Sequence, residues 1–381
     1  MPSLVRPRAA IVCGLLAALV MGGCTKQTKS AVIVSGSTLT IYASQPPGSA
    51  GGKAAADVLD AEAMALQQAG TTVGKFKLRL VRLHGKEVSD NARTAVQNAS
   101  AIAYIGEVIP GTSQSSVPIT NELGLLQVSP TDTAVYLTQA TPVVSGSPGT
   151  FYPSSSTYHE TFARVVPTTA QEAAAIAAKM HSLGLSKLYV SDDGGPYGAS
   201  IAAEVRTQAP KQGLSIVSSP AAADAVFYGG NTSAAATKVL DQAAAAGSAK
   251  LFVPSAFYGD AFVAGLSAAA QKNLYVSSPG FTPSTLAPAG RRFVTAFHTA
   301  YQRAPVPAAI FGYEAMSALI AVLKDAGTAA GSRATVVKDF RGLHNRQSVL
   351  GTYSISSGDV SIAPFVFGHP RAGRLVPSAA G

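Results

Sequence analysis

The 381-residue chain is expected to fold as an α/β protein of two lobes, each a mostly parallel sheet flanked by helices. Three observations lead there. Short β-rich runs alternate with longer Ala-rich helical stretches, the order that parallel βα units require. The alternation begins twice, once near Thr38 and again near Thr169. Between and after the two series lie Pro-, Gly- and Ser-rich stretches without periodicity, which read as crossings between lobes.

The N-terminus stands outside that body. Arg6 and Arg8 form a positive n-region, Ala9 to Val20 an apolar h-region, and Met21-Gly22-Gly23 leads into Cys24. The apolar run falls short of the roughly 20 residues a membrane span needs, so residues 1–23 read as a signal peptide. The arrangement resembles a bacterial lipobox, which implies that Cys24 carries a lipid and becomes the mature N-terminus. Cys13 leaves with the signal, so the body has no second thiol and no intrachain disulfide. Residues 24–37 are polar and small, with Lys26 and Lys29, and read as a lipid-anchored tether. The formal charge of +9 drops by two when Arg6 and Arg8 are removed, and the remaining basic residues are scattered. Nucleic-acid binders cluster such charge with aromatic residues on one face; that pattern is absent, and no nucleic-acid partner is expected.

In the first lobe, strands are expected at Thr38–Tyr42, Lys77–Leu83, Ala101–Ile105 and Leu125–Val128, with helices over 54–68, 90–97 and 112–123 between them. Thr141 to Ser156 reads as the first crossing. The second series opens with Thr169 and Glu172 as a capping box on a helix ended by Gly184. Strands are expected at Lys187–Val190, Ala225–Tyr228, Lys250–Pro254 and Leu274–Ser277, and the proline-rich run Ser278–Ala289 reads as a return crossing. Ile310 to Ala326 is apolar on nearly every face, so it predicts a buried helix closed by Gly327; Val349 to Phe367 reads as a hairpin turning at Ser356–Asp359. Residues 38–150 and 282–345 are thus assigned to lobe 1, and 151–281 and 346–381 to lobe 2. In open parallel sheets, ligands sit beyond the carboxyl ends of the strands.

Five blocks resemble the leucine/isoleucine/valine-type (type I) periplasmic binding proteins of ABC transporters. They are Ile105-Gly106 through Pro110-Gly-Thr-Ser-Gln-Ser-Ser116, Leu125-Leu-Gln-Val-Ser-Pro-Thr-Asp-Thr133 to Thr138, Val190-Ser-Asp-Asp-Gly-Gly-Pro-Tyr-Gly198, Ala223-Asp-Ala-Val-Phe-Tyr-Gly-Gly230 and Phe311-Gly-Tyr-Glu-Ala-Met316. The resemblance implies the two-lobed type I fold joined by hinge crossings, with a small polar ligand held between the lobes. Gly111 and Thr112 open a helix whose first N–H groups suit an anion, although Thr112 or Ser113 could serve as its cap. Ser129, Thr131 and Thr133 place hydroxyls on the loop after a buried strand, either as ligand contacts or as an ordinary turn around Pro130. The resemblance places Tyr197 over the ligand from the far side, and Asn231 and Ser255 at further ligand positions. It also exposes departures. The acidic residue that pairs with an amino acid's ammonium group is replaced by Ser255, the small hydroxyl residue of the first loop by Pro110, and an aromatic residue by Asn231. An unpaired ammonium in a closed cleft is costly, which argues against a standard branched-chain amino acid; Asp132, Asp193 and Asp260 are the acids that could compensate.

The expected function is capture of a small polar solute, amino-acid-like or a small organic acid or amide, for an ABC permease. The protein would be lipid-anchored on the extracytoplasmic face of the cell membrane. A sensor presenting the same clamp to a membrane receptor is the alternative. A surface hydrolase is disfavoured: there is no Gly-x-Ser-x-Gly elbow and no His-Glu-x-x-His, and the histidines at 84, 159, 181, 298, 344 and 369 are isolated. No catalytic residue, metal or cofactor is expected.

Overall fold

The structure, a computed structural model, describes residues 1–2, 32–48, 51–247 and 249–379. The expected signal peptide, Cys24 and the first part of the tether lie outside the described residues. The rest of the tether corrects the expectation. Val32 to Val34 are a β-prone run, and they dock: Val34 N–H donates to the Gly331 carbonyl at 2.7 Å, Arg333 N–H to the Val32 carbonyl at 3.0 Å, and Ile33 bridges Ser332.

Residues 32–379 build two sheets. The first contains β1 (Thr38–Ser44), β2 (Thr72–Val73), β3 (Phe76–Leu83), β4 (Ala101–Ile105), β5 (Leu126–Ser129) and β6 (Phe162–Arg164) in the order β2-β3-β1-β4-β5-β6. All pairs are parallel except the β2–β3 hairpin. β4 and β5 are buried along their whole length, as strands covered on both faces must be. The second sheet holds β7 (Lys187–Asp192), β8 (Ser215–Ile216), β9 (Ala225–Gly229), β10 (Lys250–Val253) and β11 (Leu274–Pro279), all parallel. Two ribbons follow, β12 (Arg346–Ser348) with β13 (Gly351–Tyr353), and β14 (Ile355–Ser356) with β15 (Asp359–Val360). Then β16 (Phe365–Arg371) and β17 (Arg374–Ala379) add antiparallel edge strands to the second sheet, giving β17-β16-β11-β10-β9-β7-β8.

These pairings shift the expected lobe limits. β6 pairs with β5, so the first sheet runs past residue 150 and the first crossing lies between Arg164 and Thr169, not at 141–156. A three-residue strand is too short to show a period, which is why the sequence hid it. The ribbons also belong with the first lobe: Val349, Leu350, Tyr353, Ile355 and Val360 join its core, so residues 346–360 do not open lobe 2. The turn at Ser357-Gly358 forms as expected. Phe365 to Phe367, however, pair with β11 rather than returning along Val349. The second and third crossings lie side by side, with Gly280 N–H donating to the Pro364 carbonyl at 3.1 Å.

The helix Ala309–Ala326 is buried along most of its length and ends at Gly327, which takes a positive φ of 54°. It packs on the helix Gly52–Ala69 so closely that a Cβ at Gly312 would lie 2.4 Å from the Val58 carbonyl oxygen. Among the described residues, no helix is long and apolar enough to cross a membrane.

Candidate functional site

Beyond the carboxyl end of β5, the segment Pro130–Ala134 is buried and tightly bonded. Ser129 ends that strand; its hydroxyl donates to the Glu107 carbonyl at 2.8 Å and accepts from Asp132 N–H at 2.8 Å. Thr131 Oγ1 donates to the same carbonyl at 3.4 Å. Asp132 then turns back on the loop after β4. Its carboxylate accepts the N–H groups of Gly111 at 2.7 Å, Ser113 at 2.8 Å and Ala134 at 3.0 Å. Of the N–H groups expected to meet a ligand anion, those of Gly111 and Ser113 are therefore taken by the chain's own acid, and that of Thr112 by the Ile109 carbonyl at 3.2 Å.

The expected long helix at 112–123 is instead a 3-10 turn, Ser113–Ser115, followed by a short helix, Val117–Glu122. Pro118 in the first turn of that helix and the preceding serines account for the delayed start. Thr112 does not cap it: its hydroxyl donates to the Ile109 carbonyl at 2.7 Å. Ser113 Oγ accepts from Glu107 N–H at 3.1 Å.

Across the cleft, Tyr197 lies in the first turn of the helix Pro196–Gln208 and is 2 % exposed. Its hydroxyl lies 3.3 Å from Thr133 Oγ1, joining the two lobes. Asn231, after β9, donates its Nδ2 to the Pro110 carbonyl at 3.2 Å, a second interlobe bond. Gly111 has φ +85°, and a Cβ there would lie 2.6 Å from the Tyr197 Cβ and 3.1 Å from Asn231 Nδ2. Only a residue without a side chain lets the lobes meet here.

The central feature is one that sequence reading missed. Glu172 is fully buried in the first turn of the helix Thr169–Ser182. It does not form the expected capping box with Thr169, because Thr168 is the N-cap and Gln171 its reciprocal partner. That one-residue shift turns Glu172 toward the seam. Its carboxylate accepts Ser255 N–H at 2.6 Å, Ser255 Oγ at 3.1 Å, Ser277 Oγ at 2.6 Å and, from the other lobe, Thr133 Oγ1 at 3.2 Å. Burial pushes its pKa up, while the hydrogen bonds from Ser277, Ser255 and Thr133 pull the other way. Burial and the neighbouring Glu172 charge also hold the Tyr197 hydroxyl well above its ordinary range.

Of the expected ligand residues, Gly111, Thr133, Tyr197, Asn231 and Ser255 converge on the interlobe seam. Thr112, Ser129 and Thr131 are spent on local backbone groups instead. Among the acids considered as compensation, Asp193 accepts Gly195 N–H of its own loop at 3.0 Å and Asn231 N–H of the loop after β9 at 3.2 Å. Asp260 accepts Leu375 N–H at 3.1 Å, away from this site. Behind the Asp132 loop, the buried Arg164 donates to the carbonyls of Asp132 and Ala134 at 2.9 and 2.8 Å. Its Nε lies 2.9 Å from Asp359 Oδ1, close enough for an ion pair although not aligned as a hydrogen bond. Among the described residues, no three or more His, Cys, Asp or Glu side chains gather as a metal site would require.

Comparison with known proteins agrees with this architecture. Residues 219–362 match the profile of the periplasmic binding protein family. No curated protein sequence matches the chain. A leucine-binding protein of Thermotoga maritima superposes with a TM-score of 0.71 at 19% identity, covering 90% of this chain and 98% of that one. An ABC transporter substrate-binding protein of Desulfitobacterium hafniense, solved with Leu, gives 0.70 at 21% identity over 90% and 100% of the two chains. A solute-binding protein of R. palustris in complex with benzoate gives 0.66 at 19% identity over 90% and 96%. The fold is that of the type I periplasmic binding proteins, as the sequence blocks implied.

Proposed function

We propose that this chain is an extracytoplasmic solute-binding lipoprotein that captures a small polar ligand between its lobes and delivers it to an ABC permease. The observation that carries the reading is the convergence of Thr133 from one lobe with Tyr197, Ser255 and Glu172 from the other at a single buried seam. A ligand that binds both faces stabilises the lobes-together state, and that shape is what a membrane partner would recognise. The ligands named for two structural neighbours, Leu and benzoate, are small solutes. The reading involves no catalytic step.

A thermal-shift screen of the mature chain against amino acids, amides, amines, small organic acids and sugars tests the proposal. A true ligand raises the melting temperature in proportion to the logarithm of its concentration once saturating. Thr133→Val and Tyr197→Phe should each weaken that ligand, because each removes one hydroxyl from the seam. Tyr197→Ala is a poorer test, since Tyr197 also packs in a hydrophobic core drawn from both lobes and its truncation would cost about 3–5 kcal/mol of stability. A screen with no hit, or normal binding by both hydroxyl variants, would sink the cleft assignment.

The lipid anchor at Cys24 belongs to the same proposal. Tethering raises the local concentration of the clamp at a membrane partner. The Cys24→Ser chain, expressed in a bacterium, should move from the detergent phase to the aqueous phase of a Triton X-114 partition. Detergent-phase recovery of the serine variant would remove the anchor from the model of function.

A further inference from the structure

We propose that Glu172 is the counter-charge for the ligand, and that the solute selected here is a small organic cation without a carboxylate, such as an amine or amidine. The inference rests on the solute-binding reading and deepens it by assigning charge.

Four observations lead to it. Glu172 is buried at the seam, and all four of its donors are neutral: one backbone N–H and the hydroxyls of Ser255, Ser277 and Thr133. Those hydroxyls spend their hydrogens on the carboxylate, so what they still offer is oxygen lone pairs, which suit the N–H groups of a cation. The receptor for an anion is already filled, because Asp132 holds the N–H groups of Gly111 and Ser113. Finally, the nearby guanidinium of Arg164 is committed to the Asp132 and Ala134 carbonyls and to Asp359.

The physics then discriminates by charge. Two carboxylates, Asp132 and Glu172, border the seam, and a ligand carboxylate entering between them would meet like charge, with the nearby Arg164 guanidinium already committed elsewhere. A cation meets the opposite situation. It supplies the charge that burial of Glu172 lacks, and it does so fully only when Thr133 and Ser255 are brought together around it. Binding and lobe closure are thereby coupled through one carboxylate. Burial raises the pKa of Glu172. The cation selects the ionised form, so its affinity should rise with pH through the Glu172 pKa.

The test is calorimetric titration of the mature chain with two near-isosteric series: benzamidine, benzamide and benzoate, and isopentylamine, isocaproamide and isocaproate, with leucine as the zwitterion. In at least one series the cation should bind about tenfold or more tightly than its amide, and the carboxylate and leucine should bind more weakly still. Titration at a series of pH values from acidic to neutral should show the affinity of the cation rising with pH while that of the amide stays level. Glu172→Gln should erase the preference of cation over amide, and Glu172→Asp should retain its sign. If the glutamine variant does not fold, the wild-type selectivity decides the matter alone.

Tighter binding of benzoate, isocaproate or leucine than of the matching cation would overturn the charge assignment while leaving the solute-binding reading intact. If none of these probes binds but the wider solute screen yields a ligand, a cation without carboxylate supports the inference and any other charge refutes it. Silence of both experiments overturns both readings.

Discussion

Gly111 of the first lobe and Tyr197 of the second meet so closely that a methyl group on Gly111 would lie 2.6 Å from the Tyr197 Cβ. No rotamer of Tyr197 relieves that contact, because the clash is with its first side-chain carbon. The backbone of Gly111 is also left-handed, with φ +85°. The two constraints act on different states: the φ strain is local to the loop, whereas the clash exists only when the lobes are together.

Gly111→Ala should therefore disfavour closure more than folding. Strain at a left-handed alanine is on the order of 1–3 kcal/mol, and the interlobe clash adds to it only in the closed form. Ligand affinity should fall about tenfold or more, since apparent affinity scales with the fraction of competent molecules. Small-angle X-ray scattering with the screened ligand should show a larger radius of gyration than wild type. Unchanged affinity would mean that the lobes do not need this contact to hold a ligand.

The Arg164–Asp359 pair makes a stability prediction. Arg164 is fully buried, and Asp359 also accepts Thr138 Oγ1 at 2.9 Å and Gln139 Nε2 at 2.8 Å. Asp359→Ala leaves a buried guanidinium without its counter-charge, a loss in the range of about 3–5 kcal/mol for buried pairs. Because Asp359 keeps some exposure, the lower end is expected. Ligand binding should weaken too, since Arg164 fixes the carbonyls of Asp132 and Ala134. Chemical denaturation checks the first effect; a change below about 1 kcal/mol would show that the pair behaves like a surface ion pair.

Glu107 predicts a pH dependence. It is 1 % exposed, and its carboxylate accepts Ser44 Oγ at 2.5 Å and Tyr104 OH at 2.6 Å. Burial raises its pKa from 4.5 to about 7; the hydroxyl bonds oppose the rise, and the Asp132 charge adds to it. Glu62, fully buried with neither oxygen hydrogen-bonded, is pushed up in the same sense by burial, with Arg82 opposing. A raised folded pKa means that the native state binds the proton more tightly than the unfolded chain. Stability should therefore fall as pH rises from about 4.5 to about 7, by about 3 kcal/mol from Glu107 alone, and then level off. Glu107→Gln should shrink that slope. An identical melting-temperature profile between pH 5 and pH 8 in the variant would refute the assignment.

Much of this architecture was legible in the chain. The strand cores at Ala101–Ile105, Ala225–Tyr228 and Lys250–Val253, and the buried helix stopped by Gly327, all follow from apolar runs bounded by glycine, proline or polar turns. The sequence determined these because a strand buried on both faces or a helix buried all round must be apolar throughout. It also determined that Ser255 carries no charge where an acid was expected. Which acid lies against Ser255 was decided by the tertiary structure. Glu172 lies 83 residues before Ser255, 105 before Ser277 and 39 after Thr133. No local spacing connects them, and a glutamate three residues after Thr169 has the pattern of a cap. Only the adjacency of β10 and β11, with a helix N-terminus lying at their carboxyl ends, turns that glutamate into the centre of the cleft. The same holds for the Gly111–Tyr197 contact, since closure between lobes is a property of two surfaces, and a one-dimensional sequence shows each of them separately.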